Sequence, residues 1–249
     1  MSRVEATDLF KSYQLTGREL EVLRGISFTL EDHSFVTLVG KSGCGKTTLL
    51  RIVCGLEAPS RGSVRFIHDS GNGNSRRASI VFQEPRLMPW LTVEQNMAFA
   101  LAGDPDKKRT RETVDFYLNL FGLADFRNAY PSQISGGMAQ RVSLGRTLCL
   151  GSDIILMDEP FGALDAFTRR NLQKELVNIF EAQRKTILFV THDVDEAVYM
   201  GQRVLVMDRG QISEDIRIDL PYPRDPLSTE FYPLRERILN SFFDFNDTL

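Results

Sequence analysis

Little in these 249 residues points to cross-links, metal cages or membrane spans. Only three cysteines occur, Cys44, Cys54 and Cys149, an odd count with no CxxC pair and no flanking histidine. That excludes a disulfide framework and a thiolate zinc site, and reads as reduced intracellular thiols. No apolar run approaches the roughly 20 residues needed to cross a bilayer. Met1-Ser2-Arg3-Val4-Glu5 has no apolar stretch behind its charge, so no secretory leader is visible. Any membrane role must come through a partner. Charge of one sign is lacking too: 30 Lys+Arg against 33 Asp+Glu leave a net charge of −3. A mildly acidic balance argues against a general nucleic-acid binder. What is present, 42% hydrophobic residues without internal repeats, describes a globular chain long enough to fold without a staple.

The hydrophobic pattern changes along the chain. Ile26, Phe28 and Leu30 alternate with Ser27 and Thr29, which predicts strands with one wet face in the first 35 residues. Phe35 to Val39 is apolar on both faces and reads as a buried central strand. A helix follows, with Leu49, Ile52, Val53 and Leu56 on one side and Gly55 near its stop. Asp69 to Ser75 is a turn by composition. Thr92 to Leu150 reads as helical, with a capping-box spacing at Thr92 and Gln95 and an apolar face of Val114, Tyr117, Leu118 and Phe121. Strands at Ile154–Met157, Thr186–Val190 and Val204–Met207 then alternate with helices at Ala163–Phe180 and Asp193–Met200. Such alternation predicts an α/β fold with a mainly parallel sheet, interrupted by a helical insertion. Prolines from Pro221 to Pro226 precede a last helix near Leu234–Phe242.

Four constellations carry chemistry. Gly40-Lys41-Ser42-Gly43-Cys44-Gly45-Lys46-Thr47 fits G-x-x-x-x-G-K-[ST] between a buried strand and an amphipathic helix, the context of a phosphate-binding P-loop. By chance the pattern arises in roughly 1% of chains this long. Its backbone N–H groups wrap phosphates at a helix N-terminus, Lys46 adds a point charge, and the Thr47 hydroxyl suits Mg²⁺. Thr48 extends the same nucleotide-binding turn. Ile154 to Met157 ends in Asp158-Glu159, two carboxylates at the strand edge where α/β proteins bind ligands. Asp158 is suited to the metal and Glu159 to polarising an attacking water. His192 closes the strand Thr186–Thr191 and is placed to meet the γ-phosphate or that water, whereas His33 and His68 read as structural. Ile134-Ser135-Gly136-Gly137 opens a helix and makes a second anion-binding corner.

In this order the motifs resemble the ATP-binding subunit of ABC transporters over essentially the whole chain. The resemblance implies a P-loop NTPase (RecA-like) core in residues 1–85 and 151–219 with an N-terminal antiparallel β subdomain. It further implies a helical signature subdomain in 86–150 and a tail in 220–249. Gln83 takes the place of the Q-loop glutamine, both catalytic and facing the metal with Thr47 and Asp158. Ser135, Gly136, Gly137, Met138 and Gln140 take the place of the signature that closes over a partner's ATP. Asp165 takes the D-loop position, Tyr13 that of the aromatic stacking on adenine, and Glu159 and His192 the catalytic pair. Ile134 and Met138 stand where the family commonly has leucine and glutamine.

The implied cofactors are ATP and Mg²⁺, and the implied assembly is a head-to-tail homodimer with two composite sites. The segment Gln83–Leu91, with Leu87, Met88 and Trp90, is expected to dock a cytoplasmic helix of a multi-span permease. A periplasmic or extracellular solute-binding protein enters only indirectly, nucleic acid not at all. The subunit is expected at the cytoplasmic face of the plasma membrane. The loop and the stretch Asp158–Thr168 look like the nitrate/sulfonate/taurine importer group, and similar loops occur in pyrimidine-precursor importers, so the cargo stays open. A soluble ABC ATPase acting on nucleic acid or ribosomes, and a non-hydrolysing regulatory module, are the alternative readings. Cys44, beside a helix N-terminus and Lys46, is expected to have a lowered thiol pKa.

Overall fold

β3 (Phe35–Gly40) is buried at every position, as a strand apolar on both faces must be. The computed structural model describes residues 2–15, 17–68 and 78–242, so the turn read at Asp69 to Ser75 lies outside the described residues. The chain separates into two compact units, Met1–Arg76 with Gln173–Leu249, and Arg77–Leu172.

In the first unit β1 (Ser2–Leu15) pairs antiparallel with β2 (Arg18–Leu30) and with β4 (Arg61–His68), the order being β2-β1-β4. The predicted inward residues Ile26, Phe28 and Leu30 are buried. A second sheet places β3 between β7 (Thr186–Thr191) and β8 (Arg203–Asp208), both parallel to it. The rings of Phe35 and Phe180 meet edge-on at 5.4 Å, and the Phe189 ring lies tilted 6.2 Å from that of Phe35. β9 (Gln211–Arg217) runs antiparallel to β8. It is absent from the sequence reading, and the reason is visible: as an exposed edge strand it inserts only Ile212 and Ile216 among polar residues. α1 (Lys46–Val53) follows the loop after β3, and α6 (Val194–Met200) follows β7 with Asp193 as its N-cap. α1 ends before Leu56, which is 61% exposed rather than part of the apolar face. The last helix, α7 (Phe231–Asn240), begins three residues earlier than the periodicity indicates and buries Phe231 and Ile238.

In the second unit β5 (Ser79–Val81) and β6 (Ile154–Asp158) pair in parallel, Ser79 opposite Ile155. Three helices account for most of the predicted helical segment: α2 (Val93–Ala98), α3 (Lys107–Leu120) and α4 (Gly136–Cys149). The Thr92–Gln95 capping box forms in both directions. Val114, Tyr117, Leu118 and Phe121 are buried as the spacing requires. Gly145 lets α4 approach α2, since a Cβ there would lie 2.6 Å from Met97 Cε. α5 (Ala166–Gln183) starts after Asp165, not at Ala163, because the Asp165 carboxylate accepts the Thr168 N–H at 3.0 Å and turns the chain into the helix.

Candidate functional site

The loop from Gly40 to Gly45 is built by steric exclusion. At Gly40 an added Cβ would stand 2.4 Å from the Met207 carbonyl oxygen, and at Gly45 (φ +109°) 2.9 Å from Leu23 and Met207 side chains. Gly45 is the N-cap of α1 and offers no side chain to that end, so the first N–H groups keep no side-chain cap. Lys46 is buried, its Nζ donating to the Gly40 and Lys41 carbonyls at 2.8 and 3.1 Å. Lys41 Nζ donates to Phe242 O at 2.8 Å. Ser42 and Gly43 are exposed at the loop's crest, and nothing lies within 4 Å of a Cβ built on Gly43. Thr47 and Thr48 occupy the first turn of α1.

The register of the parallel sheet fixes a second feature. Val39 of β3 lies opposite Thr191 of β7, so the chain leaves both strands at the same edge. The residues that follow are Gly40, opening the loop, and His192, which is exposed. Behind His192, Thr191 Oγ1 donates to Glu196 at 2.6 Å and Gln173 donates to the same carboxylate at 2.9 Å, a buried network that anchors the turn.

In the second unit Asp158 is the buried last residue of β6, and Glu159 follows it with φ +44°, a left-handed conformation unusual for a non-glycine residue. Strain of this kind collects at functional sites. Ser135 caps α4, its Oγ accepting the Met138 N–H at 3.2 Å. Gly136 meets nothing within 4 Å of a built Cβ, and Gly137 has Leu164 at 3.2 Å. No acidic side chain sits in the first turn of α4 to neutralise it. Asp165 is exposed, and its carboxyl is held below the usual range chiefly by the Thr168 backbone N–H. Gln83 is exposed just after β5.

A profile of the ABC transporter family matches residues 23–162. The chain is 44% identical over 246 residues to an uncharacterized ABC transporter ATP-binding protein of Methanocaldococcus jannaschii, covering 97% of this chain and 92% of that protein. It is 42% identical to an aliphatic sulfonates import ATP-binding protein, SsuB, of Bacillus cereus, over 93% of this chain and 92% of the relative. The chain belongs to the ABC transporter family. Its fold matches a dimeric ATP-binding cassette solved in a post-hydrolysis state with ADP and Pi, with a TM-score of 0.78 at 27% identity, over 88% of this chain and all of that one. It is an ATP-hydrolysing cassette of that family.

One reading changes within this ABC fold. Cys44 is buried, and burial pushes its thiol pKa up in spite of Lys46, so the activation expected from its neighbours is absent. Gln140 is not a surface residue of the signature: it is 2% exposed and its Nε2 donates to Phe82 O at 3.2 Å. Its Oε1 is buried without a protein donor, which costs about 1–3 kcal/mol. Tyr13, half-buried on β1, donates its hydroxyl to Glu57 at 2.6 Å with Lys11 Nζ 5.1 Å from the ring centre. Its pKa is raised by burial first and by the Glu57 carboxylate second.

The loop after Gln83 is held by residues the sequence reading missed. Asn96, fully buried on α2, accepts the Met88 N–H at 2.8 Å and donates to the Met88, Leu91 and Thr92 carbonyls at 3.0–3.1 Å. Arg146 on α4 donates to Pro85 O and Arg86 O, both at 3.0 Å. These bonds hold Trp90 outward, 70% exposed. Only an unusual run of apolar residues between prolines hinted at an ordered loop.

The donor chemistry fits nucleotide and Mg²⁺. Among the described residues no group of three His, Cys, Asp or Glu forms a metal cage. Mg²⁺ in phosphate sites takes few protein ligands, hard oxygens beside the substrate's own, and the Thr47 hydroxyl and the Asp158 carboxylate are such donors. Among the described residues no helix is long and apolar enough to cross a membrane.

Proposed function

We propose that this cassette is the motor of an importer for a small oxyanionic solute of the aliphatic sulfonate, taurine or nitrate type. The name of the Bacillus cereus relative, an aliphatic sulfonates import protein, supports the solute class. The dimeric cassettes of similar fold support a symmetric pair with two shared sites. The observation that carries the reading is the pairing of Val39 with Thr191, which delivers the P-loop and His192 to one sheet edge.

In this reading the P-loop N–H groups and Lys46 bind the β- and γ-phosphates, Tyr13 stacks on adenine, and Ser135 to Gly137 of a second copy close on the γ-phosphate. Glu159 accepts the proton of the attacking water while His192 and Gln83 orient that water and the γ-phosphate. Thr47, Asp158 and Gln83 would hold Mg²⁺, which would supply positive charge to offset that of the phosphates. Asp165 lies against the partner copy at the shared interface. The loop Gln83–Leu91 docks a helix of a multi-span permease, which places the subunit at the cytoplasmic face of the plasma membrane. The solute-binding protein meets only the permease.

The test is Glu159→Gln in the assembled transporter. Turnover falls about 10²–10⁴-fold while ATP still binds and a dimer accumulates in size-exclusion chromatography. Normal turnover would remove Glu159 as the base, and loss of taurine and alkanesulfonate uptake by a deletion strain is the test of the cargo class.

A further inference from the structure

One face of α4 clamps the chain on both sides of Gln83. Thr147 Oγ1 donates to Ile80 O at 3.4 Å, Gln140 Nε2 to Phe82 O at 3.2 Å, and Arg146 to Pro85 O and Arg86 O at 3.0 Å. The same helix begins at Ser135, so its N-terminal turn and the chain around Gln83 share one support. Gln140 is the member of this clamp nearest both ends. It sits one turn inside the Ser135 cap, and its acceptor is the carbonyl of the residue just before Gln83. Burial leaves it no solvent contact to serve. The amide orientation is fixed by its partner, because only an N–H can face the Phe82 carbonyl. Its Oε1 is buried without a donor among the described residues, so the bond to Phe82 is made at the cost of an unpaired acceptor.

We propose that Gln140 is a positioning residue that sets Gln83 against the signature turn, so that the two move as one body during the ATP cycle. This rests on the reading of Gln83 as a residue of the hydrolytic site. Gln140 touches no substrate and acts through the Phe82 carbonyl on the backbone of Gln83.

A double-mutant cycle tests it on the full-length protein assembled with its permease. Gln140→Leu keeps the volume and removes the donor. Its kcat is expected to fall roughly tenfold, the scale of one buried hydrogen bond, with the Kd for a fluorescent ATP analogue unchanged. Gln83→Ala lowers kcat as well, and the double variant should equal Gln83→Ala alone, since both changes act through one residue. Additive losses would overturn the proposal, as would a Gln140→Leu variant with normal kcat beside an impaired Gln83→Ala. An inert Gln83→Ala would overturn it too and would also remove Gln83 from the proposed mechanism. If Gln140→Leu fails to fold, Gln140→Met carries the same cycle with the same expected non-additivity. Hydrogen exchange supplies a readout that bulk destabilisation would not move. The amides of Gln83, Glu84 and Arg86 should exchange faster in the variant while those of β6 stay protected, and uniform loss of protection would count against the assignment.

Discussion

Lys46 Nζ lies 2.8 Å from the carbonyl oxygen of Gly40, six residues back along the chain, and 3.1 Å from that of Lys41. The ammonium thus spans the mouth of the loop it belongs to, held by two neutral acceptors. A polyphosphate offers charged acceptors at the same place, and charge-assisted bonds are about twice as strong as neutral ones.

Removing that charge should therefore act on affinity. Lys46→Ala is expected to weaken ATP binding by roughly 10- to 150-fold, the equivalent of about 1.5–3 kcal/mol for a hydrogen bond to a charged group. Titration with a fluorescent nucleotide measures it. Circular dichroism should remain that of the parent, because the two carbonyl bonds lost come from the side chain and break no helix or strand pairing of the backbone.

The thiols give a pH signature. Burial pushes Cys149 up to about 12, and it pushes Cys44 and Cys54 in the same direction. Between the ordinary thiol range and pH 12 the unfolded chain has lost a proton that the folded chain keeps, so stability falls as pH rises through that window. Thermal melts from pH 8 to pH 11 should show a declining Tm, with a flatter profile for Cys149→Ala. Alkylation of Cys44 by iodoacetamide at pH 7 should be slower than that of a free cysteine and should accelerate with pH. A reaction faster than free cysteine would contradict the burial argument.

What could be read beforehand and what could not divide along a physical line. Phe35 to Thr47 was legible because its information is local: a run apolar on both faces, then glycines where side chains would strike Met207 and Leu23. His192 was legible through alternation of strands and helices, which forces parallel strands to end at one edge. Cys44 misled because neighbours in sequence reveal charge but not burial. Asn96 and Arg146 carry no sequence signal, and the Phe82 bond of Gln140 carries none either, since their partners are backbone carbonyls, which every residue type supplies. β9 escaped because an edge strand needs few apolar residues to be held.

Asn96 makes a prediction about the loop. Its amide is both acceptor for Met88 N–H and donor to three carbonyls, so no other side chain satisfies the set. Asn96→Ala should destabilise the protein by about 2–4 kcal/mol, through buried backbone groups left unpaired. Asn96→Asp should be no better, because a carboxylate would face three carbonyl oxygens. Urea denaturation gives the stability, and co-purification with the proposed permease partner reports whether Trp90 still presents the proposed docking surface. A stable variant that still binds the permease would show that the loop holds its shape without Asn96.

Ser135 separates the local role of the signature turn from its shared one. Its hydroxyl caps α4 at Met138 N–H, and Ser135→Ala should cost about 1 kcal/mol of stability for that reason alone. Ser135→Arg adds a bulky cation at the positive end of α4, further disfavouring that terminus by about 0.3–1 kcal/mol. Neither change alters a residue of the P-loop, so under the proposed shared site nucleotide affinity measured on dilute monomer should stay within about twofold of the parent. Steady-state phosphate release at high protein concentration should instead collapse for Ser135→Arg and fall only partly for Ser135→Ala. Mixing Ser135→Arg with Lys46→Ala sharpens the test. Each heterodimer then has one site that carries both lesions and one that carries neither, so turnover should return to a measurable fraction of the parent. Silence in the mixture would argue that each chain completes its own site, and full activity of Ser135→Arg alone would remove the signature turn from the chemistry.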